Sequence, residues 1–201
     1  MSEVTFDKKL AVRTVGIKEW DEPVTHYNRC EPTPYRALEH LFRHYTLEAS
    51  DQFVDFGCGR GRVAFYVHNR FNIPVTGVEA QEDVLYEALN NLSRYRRNVR
   101  EIRAPIRFVH GFAEHYEIEP QDTKFFFFNP FSAAVYVQVL ANIVASLDDV
   151  RRDAHIILYY PLAQYEVMME NMPQFEIHDE IVVPDTDDKK EKFLIYRWAN
   201  Y

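Results

Sequence analysis

A glycine-rich run and a downstream carboxylate are the residues of this 201-residue chain whose types and spacing most clearly indicate chemistry. Val-Asp-Phe-Gly-Cys-Gly-Arg-Gly occupies residues 54–61, and its first residues belong to an apolar stretch that begins at residue 53. Glycines at the end of a strand let the backbone turn tightly and approach a ligand closely. Glu79 ends the next apolar stretch, where a carboxylate can accept hydrogen bonds from both hydroxyls of a ribose. The pattern predicts a nucleoside-containing ligand; the simpler alternative is a tight turn followed by a surface carboxylate.

A dinucleotide is the nearest rival ligand. Its fingerprint, GxGxxG, requires a third glycine for close packing of helix on strand. Arg62 occupies that position here, and a bulky side chain there disfavours a dinucleotide-binding oxidoreductase.

The tripeptide Asn129-Pro130-Phe131 is a second candidate for chemistry, because it follows directly on the Phe-rich stretch at residues 125–128. Ligands of parallel sheets bind at the carboxyl ends of the strands. An asparagine carbonyl can accept a hydrogen bond from an amine, and an aromatic ring can stack on a planar substrate. The alternative is an Asn-Pro turn that closes a buried strand, with Phe131 in the core.

The elements that position these residues alternate along the chain. Apolar stretches at residues 53–56, 75–79, 106–110, 124–128 and 155–160 read as strands, and amphipathic stretches between them read as helices. This alternation predicts a parallel sheet covered by helices on both faces. Residues 175–183 and 193–198 suit a hairpin that adds an antiparallel strand. Thr33 and Pro34 predict the start of a helix over 34–45, and residues 10–17 a short strand or an ordered arm.

Composition limits the function classes. The net charge of −8 argues against a protein that holds duplex nucleic acid mainly by neutralising phosphates. Two cysteines without metal-ligand spacing favour a reducing cytoplasm, and dispersed histidines predict no metal site. The chain lacks an apolar run of about 20 residues that would span a bilayer. A run of six arginines over residues 94–107 is more typical of a solvated helix end than of a nucleic-acid contact.

Together these motifs resemble the class I S-adenosylmethionine-dependent methyltransferases. Val-Asp-Phe-Gly-Cys-Gly-x-Gly, then Gly77-Val78-Glu79, then Asn129-Pro130-Phe131 after the fourth strand carry the likeness, which covers residues 34–201. The resemblance implies an α/β, Rossmann-like fold with a mostly parallel seven-stranded sheet and an antiparallel C-terminal hairpin strand. It implies one methyltransferase domain over residues 1–201, with 1–33 as an N-terminal arm or lid and 34–201 as the core.

The resemblance also implies a cofactor, S-adenosyl-L-methionine, and a set of contacts to it. Gly57, Cys58 and Gly59 would lie under its methionine part, Asp55 would hold its amino group, and Glu79 would bind the ribose. Phe112 stands where the family has an aspartate facing the adenine, so stacking by Phe112 or a contact from Glu114 would replace it. The expected cofactor-binding residues are Asp55, Gly57, Cys58, Gly59, Gly61, Glu79, Ala80, Phe112, Ala113 and Asn129.

Asn129-Pro130-Phe131 is similar to a shortened form of the Asn-Pro-Pro-aromatic motif of amine-directed methyltransferases. We therefore expect Asn129 and Phe131 to be catalytic, and N-methylation of an amine on a small molecule or a protein. The expected substrate-binding residues are Tyr27, Tyr35, Phe131 and Tyr160. An RNA or DNA base methyltransferase and a non-catalytic S-adenosylmethionine-binding module are the alternatives. The methyl acceptor and the oligomeric state stay open.

Overall fold

The computed structural model describes residues 2–18, 26–99 and 104–199. Seven strands form its sheet, and six α-helices and one short 3-10 helix at Ala113–His115 accompany them. The strands are β1 Phe53–Phe56, β2 Val75–Glu79, β3 Ile106–His110, β4 Lys124–Phe127, β5 His155–Tyr159, β6 Phe175–Val182 and β7 Lys192–Trp198. The helices are α1 Glu3–Leu10, α2 Tyr35–His44, α3 Arg62–Phe71, α4 Glu82–Asn98, α5 Ala133–Asp149 and α6 Ala163–Glu170.

The sheet has the strand order β3-β2-β1-β4-β5-β7-β6. Strands β1 to β5 pair in parallel, and β7 runs antiparallel to both β5 and β6. The order reverses at β1, whose carboxyl end lies between those of β2 and β4. Ligands of such sheets bind at this point. The α/β class, the parallel sheet and the antiparallel C-terminal strand are thus confirmed.

The central strands are apolar because both faces of the sheet are covered. Every residue of β1, β2, β4 and β5 is buried. Phe53 belongs to a core formed with α1, α2 and α3, whereas Val54 and Phe56 belong to a second core formed with α5 and α6. Asp55 is therefore a carboxylate in an otherwise apolar strand, and this position is costly unless the group has a function or a partner.

The N-terminal region differs from the sequence-based expectation. Residues 3–10, which showed no clear pattern, form α1, capped by Ser2. The stretch 11–17 expected as a strand or arm contains neither helix nor strand. Helix α2 begins at Tyr35 without a side-chain cap from the preceding residue. The N–H of Tyr35 donates to Glu3 Oε1 at 3.0 Å, so a carboxylate of α1, and not the side chain of Thr33, caps this helix.

Candidate functional site

The turn between β1 and α3 is built by glycines in the left-handed region. Gly57 and Gly59 have φ of 70° and 55°, which residues with a Cβ rarely adopt. The N–H groups of Gly57 and Cys58 both donate to Val78 O, at 2.9 and 3.0 Å, which fixes the turn to the end of β2. A Cβ on Gly57 would collide with Pro130, and one on Gly59 would lie 2.6 Å from Cys30 Sγ. The glycines thus allow protein groups to lie directly on the turn.

Gly61 has a different role from the other two glycines. A Cβ added to it would lie 2.6 Å from the ring of Phe108 and 2.8 Å from that of Phe65. It also precedes α3 with φ of 85°. Gly61 is therefore required for packing of helix on sheet, and it does not line the cavity beside the turn.

Asp55 is the unusual group of the site. Its side chain lines the cavity beside the turn, yet the residue is only 3% exposed and Oδ2 has no hydrogen-bond partner among the described residues. Burial, reinforced by the neighbouring charge of Glu79, raises the pKa of Asp55 to about 8. An unpaired buried carboxylate destabilises a fold by several kcal/mol unless it is protonated or acquires a cationic partner. A cationic group bound beside Asp55 would compensate the charge of its ionised form.

Glu79 supports the turn and faces the same cavity. Its Oε2 accepts from Gly59 N–H and its Oε1 from Gln81 N–H, both at 2.9 Å. Burial raises the pKa of Glu79, and the N–H groups of Gln81, Gly59 and Ala80 oppose that shift. A carboxylate has about four acceptor positions, so the hydrogen bonds from Gly59 and Gln81 leave acceptor capacity for a ligand. Ala80 itself is half-buried, and its carbonyl accepts from His110 Nε2 at 3.1 Å.

An N-terminal segment, residues 26–33, lies over the carboxyl ends of β1 and β4. Asn28 N–H donates to Pro130 O at 3.0 Å, and Ser132 N–H donates to His26 O at 2.7 Å. With this segment in place the cavity beside the turn encloses about 50 Å³. Sites for small molecules usually enclose about 300–1,000 Å³. Residues 26–33 therefore cover the turn, which is consistent with a lid in the N-terminal arm.

Tyr27 connects this segment to the loop after β3. Its hydroxyl donates to Glu114 Oε2 at 2.6 Å and accepts from Ala113 N–H at 2.8 Å. Its ring lies 5.5 Å from that of Phe112, which is 43% exposed, whereas Ala113 is buried. Tyr27 and Phe112 are therefore placed beside the glycine turn, and Glu114 is engaged by Tyr27.

Asn129 and Tyr160 follow β4 and β5 and face each other. Both have left-handed backbones, with φ of 42° and 49°. Asn129 Nδ2 donates to Tyr160 O at 2.6 Å, and Asn28 Nδ2 donates to Asn129 O at 2.7 Å. Such conformations in residues other than glycine are strained and concentrate at functional sites. Both residues line a second cavity of about 550 Å³ that adjoins the first and shares Asn28 and Phe128 with it.

Two expected substrate contacts are corrected by burial. Phe131 is 0% exposed, with its ring against Phe127 and Tyr27. Tyr35 is also 0% exposed, and its hydroxyl donates to Asp7 Oδ1 at 2.8 Å. Neither ring lines either cavity, so neither can stack on a substrate in this structure. Aromatic side chains bury large apolar areas, and both of these rings are part of the hydrophobic core.

We assign structural rather than catalytic roles to Cys30, Cys58 and Arg62. Burial raises the pKa of the Cys30 thiol to about 11 and raises that of the Cys58 thiol well above its ordinary value, so neither forms the thiolate that a nucleophile requires. Arg62 is buried, donates to Thr14 Oγ1 at 2.7 Å and lies 4.4 Å above the ring of Tyr35. The side chain that blocks a dinucleotide fingerprint thus holds the N-terminal region in place.

The remaining sequence features supply no second site. Arg96, Arg97 and Arg107 all donate to groups of the protein, and Arg100 and Arg103 lie outside the described residues. Within residues 2–18, 26–99 and 104–199 no cluster of His, Cys, Asp or Glu is arranged to hold a metal ion. No helix in that part of the chain is long and apolar enough to cross a membrane.

Sequence reasoning missed several residues of the two cavities. Asn28 and Cys30 cover the turn, and Phe128 separates the cavities. Asp188, from the β6–β7 loop, lines the larger cavity with Tyr160. The clustered Tyr27-Asn28 gave a hint of the first group. A charged loop of residues 184–191 offered no signal that two of its carboxylates, Asp188 and Glu191, line this cavity.

The fold is shared with solved methyltransferases. An RNA methyltransferase from Salinibacter ruber, in complex with S-adenosyl-L-homocysteine, is 14% identical over 84% of this chain and 92% of its own, with a TM-score of 0.57. TrmN from Thermus thermophilus is 16% identical over 81% of this chain and 48% of its own, with a TM-score of 0.61. Phosphoethanolamine N-methyltransferase 1 from Haemonchus contortus, with phosphoethanolamine and S-adenosylhomocysteine, is 13% identical over 81% of this chain and 42% of its own, with a TM-score of 0.60.

This chain thus spans about half the length or less of the last two of these proteins. No family model matches the sequence, and no curated protein matches it significantly. The likeness at these identities concerns the fold: the chain has the class I S-adenosylmethionine-dependent methyltransferase fold.

Proposed function

We propose that this chain is an S-adenosylmethionine-dependent methyltransferase that methylates an amine nitrogen. The observation that carries the cofactor assignment is the buried, unpartnered Oδ2 of Asp55 beside the glycine turn. The amino acid part of S-adenosylmethionine carries an ammonium group, which is the cationic partner that this carboxylate lacks. The shared fold and the S-adenosylhomocysteine bound in two of its representatives support the assignment.

The other groups of the turn fit the rest of the cofactor. Glu79 keeps acceptor positions for the two ribose hydroxyls while it holds Gly59 and Gln81. Phe112 exposes a ring beside Tyr27, where an adenine would find a stacking surface; Ala113 follows it in sequence, and Ala80 contacts His110 at the end of β3. The cofactor is larger than the enclosed 50 Å³, so its binding requires residues 26–33 to move outward. The hydrogen bonds of Asn28 and Tyr27 are those that must open.

Asn129 is the residue to which we assign the positioning of the acceptor. Its amide NH2 is held by Tyr160 O, and Oδ1 has no hydrogen bond from a described residue. This oxygen can accept from an amine N–H and so direct the nitrogen lone pair. Asn129 is half-buried and lines the larger cavity, which favours an enzyme over a binding module whose Asn129 is only scaffold.

Bound S-adenosylmethionine would supply an electrophilic methyl group, and the protein would contribute orientation and the exclusion of water. Holding two reactants at near-attack distance can lower the barrier by about 7–11 kcal/mol in favourable cases. Residues 26–33 would shield the reacting centre once they close again. No covalent enzyme nucleophile is required, in agreement with the raised pKa of Cys58.

The same proposal includes the organisation of the chain. We treat residues 1–201 as one methyltransferase domain, with 1–33 as its arm or lid. Packing of Phe6 against Tyr35 at a ring distance of 4.6 Å, and the Glu3–Arg62 ion pair, support this division. Two free cysteines are consistent with a cytoplasmic protein, which is part of the proposal.

Ligand-induced stabilisation tests the proposed function. A ligand at a hundredfold excess over its Kd adds about 2.7 kcal/mol, or roughly 5–11 °C of melting temperature for a chain of this size. We expect this shift with S-adenosylhomocysteine and none with NAD. A shift with NAD alone would overturn the cofactor assignment. Transfer of labelled methyl groups into fractionated lysate would then sort the acceptor among protein, RNA and small molecules.

A further inference from the structure

The larger cavity has a composition that selects among acceptors. It encloses about 550 Å³, within the range of about 300–1,000 Å³ of small-molecule sites. Its wall includes three aromatic side chains, and its charged groups are two arginines and three carboxylates. The aromatic residues are Phe128, Tyr159 and Tyr160, and the charged residues are Arg29, Arg36, Glu31, Asp188 and Glu191. Its formal charge is therefore negative.

Four of the five charges are paired with one another. Arg29 lies 3.0 Å from Glu31, and Arg36 lies 2.5 Å from the buried carboxylate of Glu191. These pairs leave little attraction for a further ion, since each charge is already compensated. They also place two carboxylates and two guanidinium groups in fixed positions on the wall.

Asp188 is the exception. Its Oδ2 accepts from the Tyr160 hydroxyl and its Oδ1 from Lys190 N–H, but it forms no ion pair within 4 Å with any described residue. The hydrogen bond from Tyr160, the backbone N–H of Lys190 and the charge of the Lys190 ammonium lower the pKa of Asp188, so this exposed group is ionised at neutral pH. A cation bound by this carboxylate would also be attracted by the face of a neighbouring aromatic ring.

Tyr160 sets the distance between this carboxylate and the reacting centre. Asn129 is bonded to the backbone carbonyl of Tyr160, and Asp188 is bonded to its phenolic hydroxyl. The two groups therefore lie about the length of one tyrosine side chain apart along the same cavity. A molecule that spans them would present a neutral nitrogen at Asn129 and a positive charge at Asp188.

We propose that the acceptor is a small organic cation, anchored through its charged group by Asp188 and the rings of Tyr160 and Phe128. This inference rests on the proposed function, because it places the nucleophile of that molecule at Asn129. The excess of carboxylate in the cavity disfavours phosphate, and hence a nucleic-acid acceptor, in the same position. The proposal goes beyond the fold, which hosts acceptors of many kinds.

The test uses three anilines with a two-carbon tail that ends in a cationic, a neutral or an anionic group. The probes are 4-(2-aminoethyl)aniline, which is cationic, 4-(2-hydroxyethyl)aniline, which is neutral, and 3-(4-aminophenyl)propanoate, which is anionic. Binding is measured by calorimetry with the full chain in excess S-adenosylhomocysteine at low salt. We expect the cationic probe to bind about tenfold or more tightly than the neutral one, a difference of about 1.4 kcal/mol, and the anionic probe least tightly.

Two variants of the same loop separate the anchor from general electrostatics. Asp188→Asn should remove the preference for the cationic probe, whereas Asp187→Asn, a change at an exposed neighbouring carboxylate, should preserve it. S-adenosylhomocysteine binding should be unchanged in both variants.

If that ligand binds but the three probes bind alike, or if Asp187→Asn and Asp188→Asn act alike, this inference fails while the proposed function stands. Tighter binding of the anionic probe, or of adenosine monophosphate, would also overturn it. Failure of S-adenosylhomocysteine to bind the wild type would refute the proposed function instead.

Discussion

Two buried aspartates at opposite ends of β1 differ in their hydrogen-bond and ion-pair partners. Asp51, just before the strand, is 6% exposed and fully partnered: it accepts from Glu48 N–H and the Thr123 hydroxyl and lies 2.8 Å from Lys124 Nζ. Asp55, within the strand, is 3% exposed and keeps one oxygen without a partner. Both are carboxylates in an apolar setting, but only the one at the carboxyl end lacks a cation. The contrast separates a carboxylate that stabilises the fold from one that we propose binds the ligand.

The largest expected effect comes from removing the charge of Asp51, the stabilising carboxylate. Asp51→Asn leaves the buried Lys124 ammonium with Asp153, 4.0 Å away, as its remaining counterion, and loss of the near partner of a buried pair typically costs about 3–5 kcal/mol. We expect a loss of this size in the free energy of unfolding, measured by urea denaturation. Asp55→Asn is the matched control and should leave the free energy of unfolding unchanged or raised. Equal losses in the two variants would remove the distinction.

A smaller effect, on catalysis, tests the carboxyl end of β4. Removal of one well-placed polar group lowers turnover by about 10²–10³-fold. We expect this loss for Asn129→Ala and also for Asn129→Gly, with S-adenosylhomocysteine affinity within about threefold of wild type in both. Both variants lose the hydrogen bond to Tyr160 O, but glycine accepts the φ of 42° without strain and should therefore lose less stability than alanine. Full turnover in Asn129→Gly would show that the residue serves only the turn.

Next in size is the effect of Glu79 on the cofactor. Glu79→Gln removes the charge but keeps an acceptor for one of the two N–H groups that Glu79 holds. Loss of charge-assisted hydrogen bonds of about 1.5–3 kcal/mol should lower S-adenosylhomocysteine affinity by about 10–100-fold. Calorimetry of this variant beside Glu117→Gln, an exposed control, checks the prediction. Unchanged affinity in Glu79→Gln would exclude the ribose role.

A further effect, which needs no ligand, is on the pH dependence of stability. The folded pKa of Asp55, about 8, lies above that of the unfolded chain, about 4, so the folded state binds the extra proton between these values. Stability from this group is complete below about pH 4 and is lost as pH rises to about 8, with a slope of up to about 1.4 kcal/mol per pH unit. Wild type should therefore lose more stability than Asp55→Asn between about pH 5 and 8. Parallel curves would contradict the raised pKa.

The turn and the sheet were predictable because their signals are local. Once the strands are taken as parallel, the glycines after one apolar strand and the carboxylate at the end of the next must lie at the same edge of the sheet. The helix α1 and its Glu3 contact to Tyr35 were not predictable, since capping by a side chain 32 residues away leaves no local pattern. Phe131 was assigned to the substrate because its spacing cannot tell a ring that lines a cavity from one that fills the core.

The larger cavity shows the same limit. Asn129 was identified from its position after a strand, but the approach of Asp188 depends on the geometry of the β6–β7 loop. Its hydrogen bond to Tyr160 joins residues 28 positions apart in the chain. Long-range contacts of loops therefore decide which charged residues face the site.

The most direct measurement of the central claim is the proton balance of cofactor binding. At about pH 6.5 the Asp55 carboxyl, with a pKa of about 8, is mostly protonated, and a bound ammonium favours its ionised form. Titration of S-adenosylhomocysteine in two buffers of different ionisation enthalpy should show release of about one proton per ligand, which disappears at about pH 9 and in Asp55→Asn. Binding with the same proton release in wild type and Asp55→Asn, or no binding by the wild type, would contradict the account.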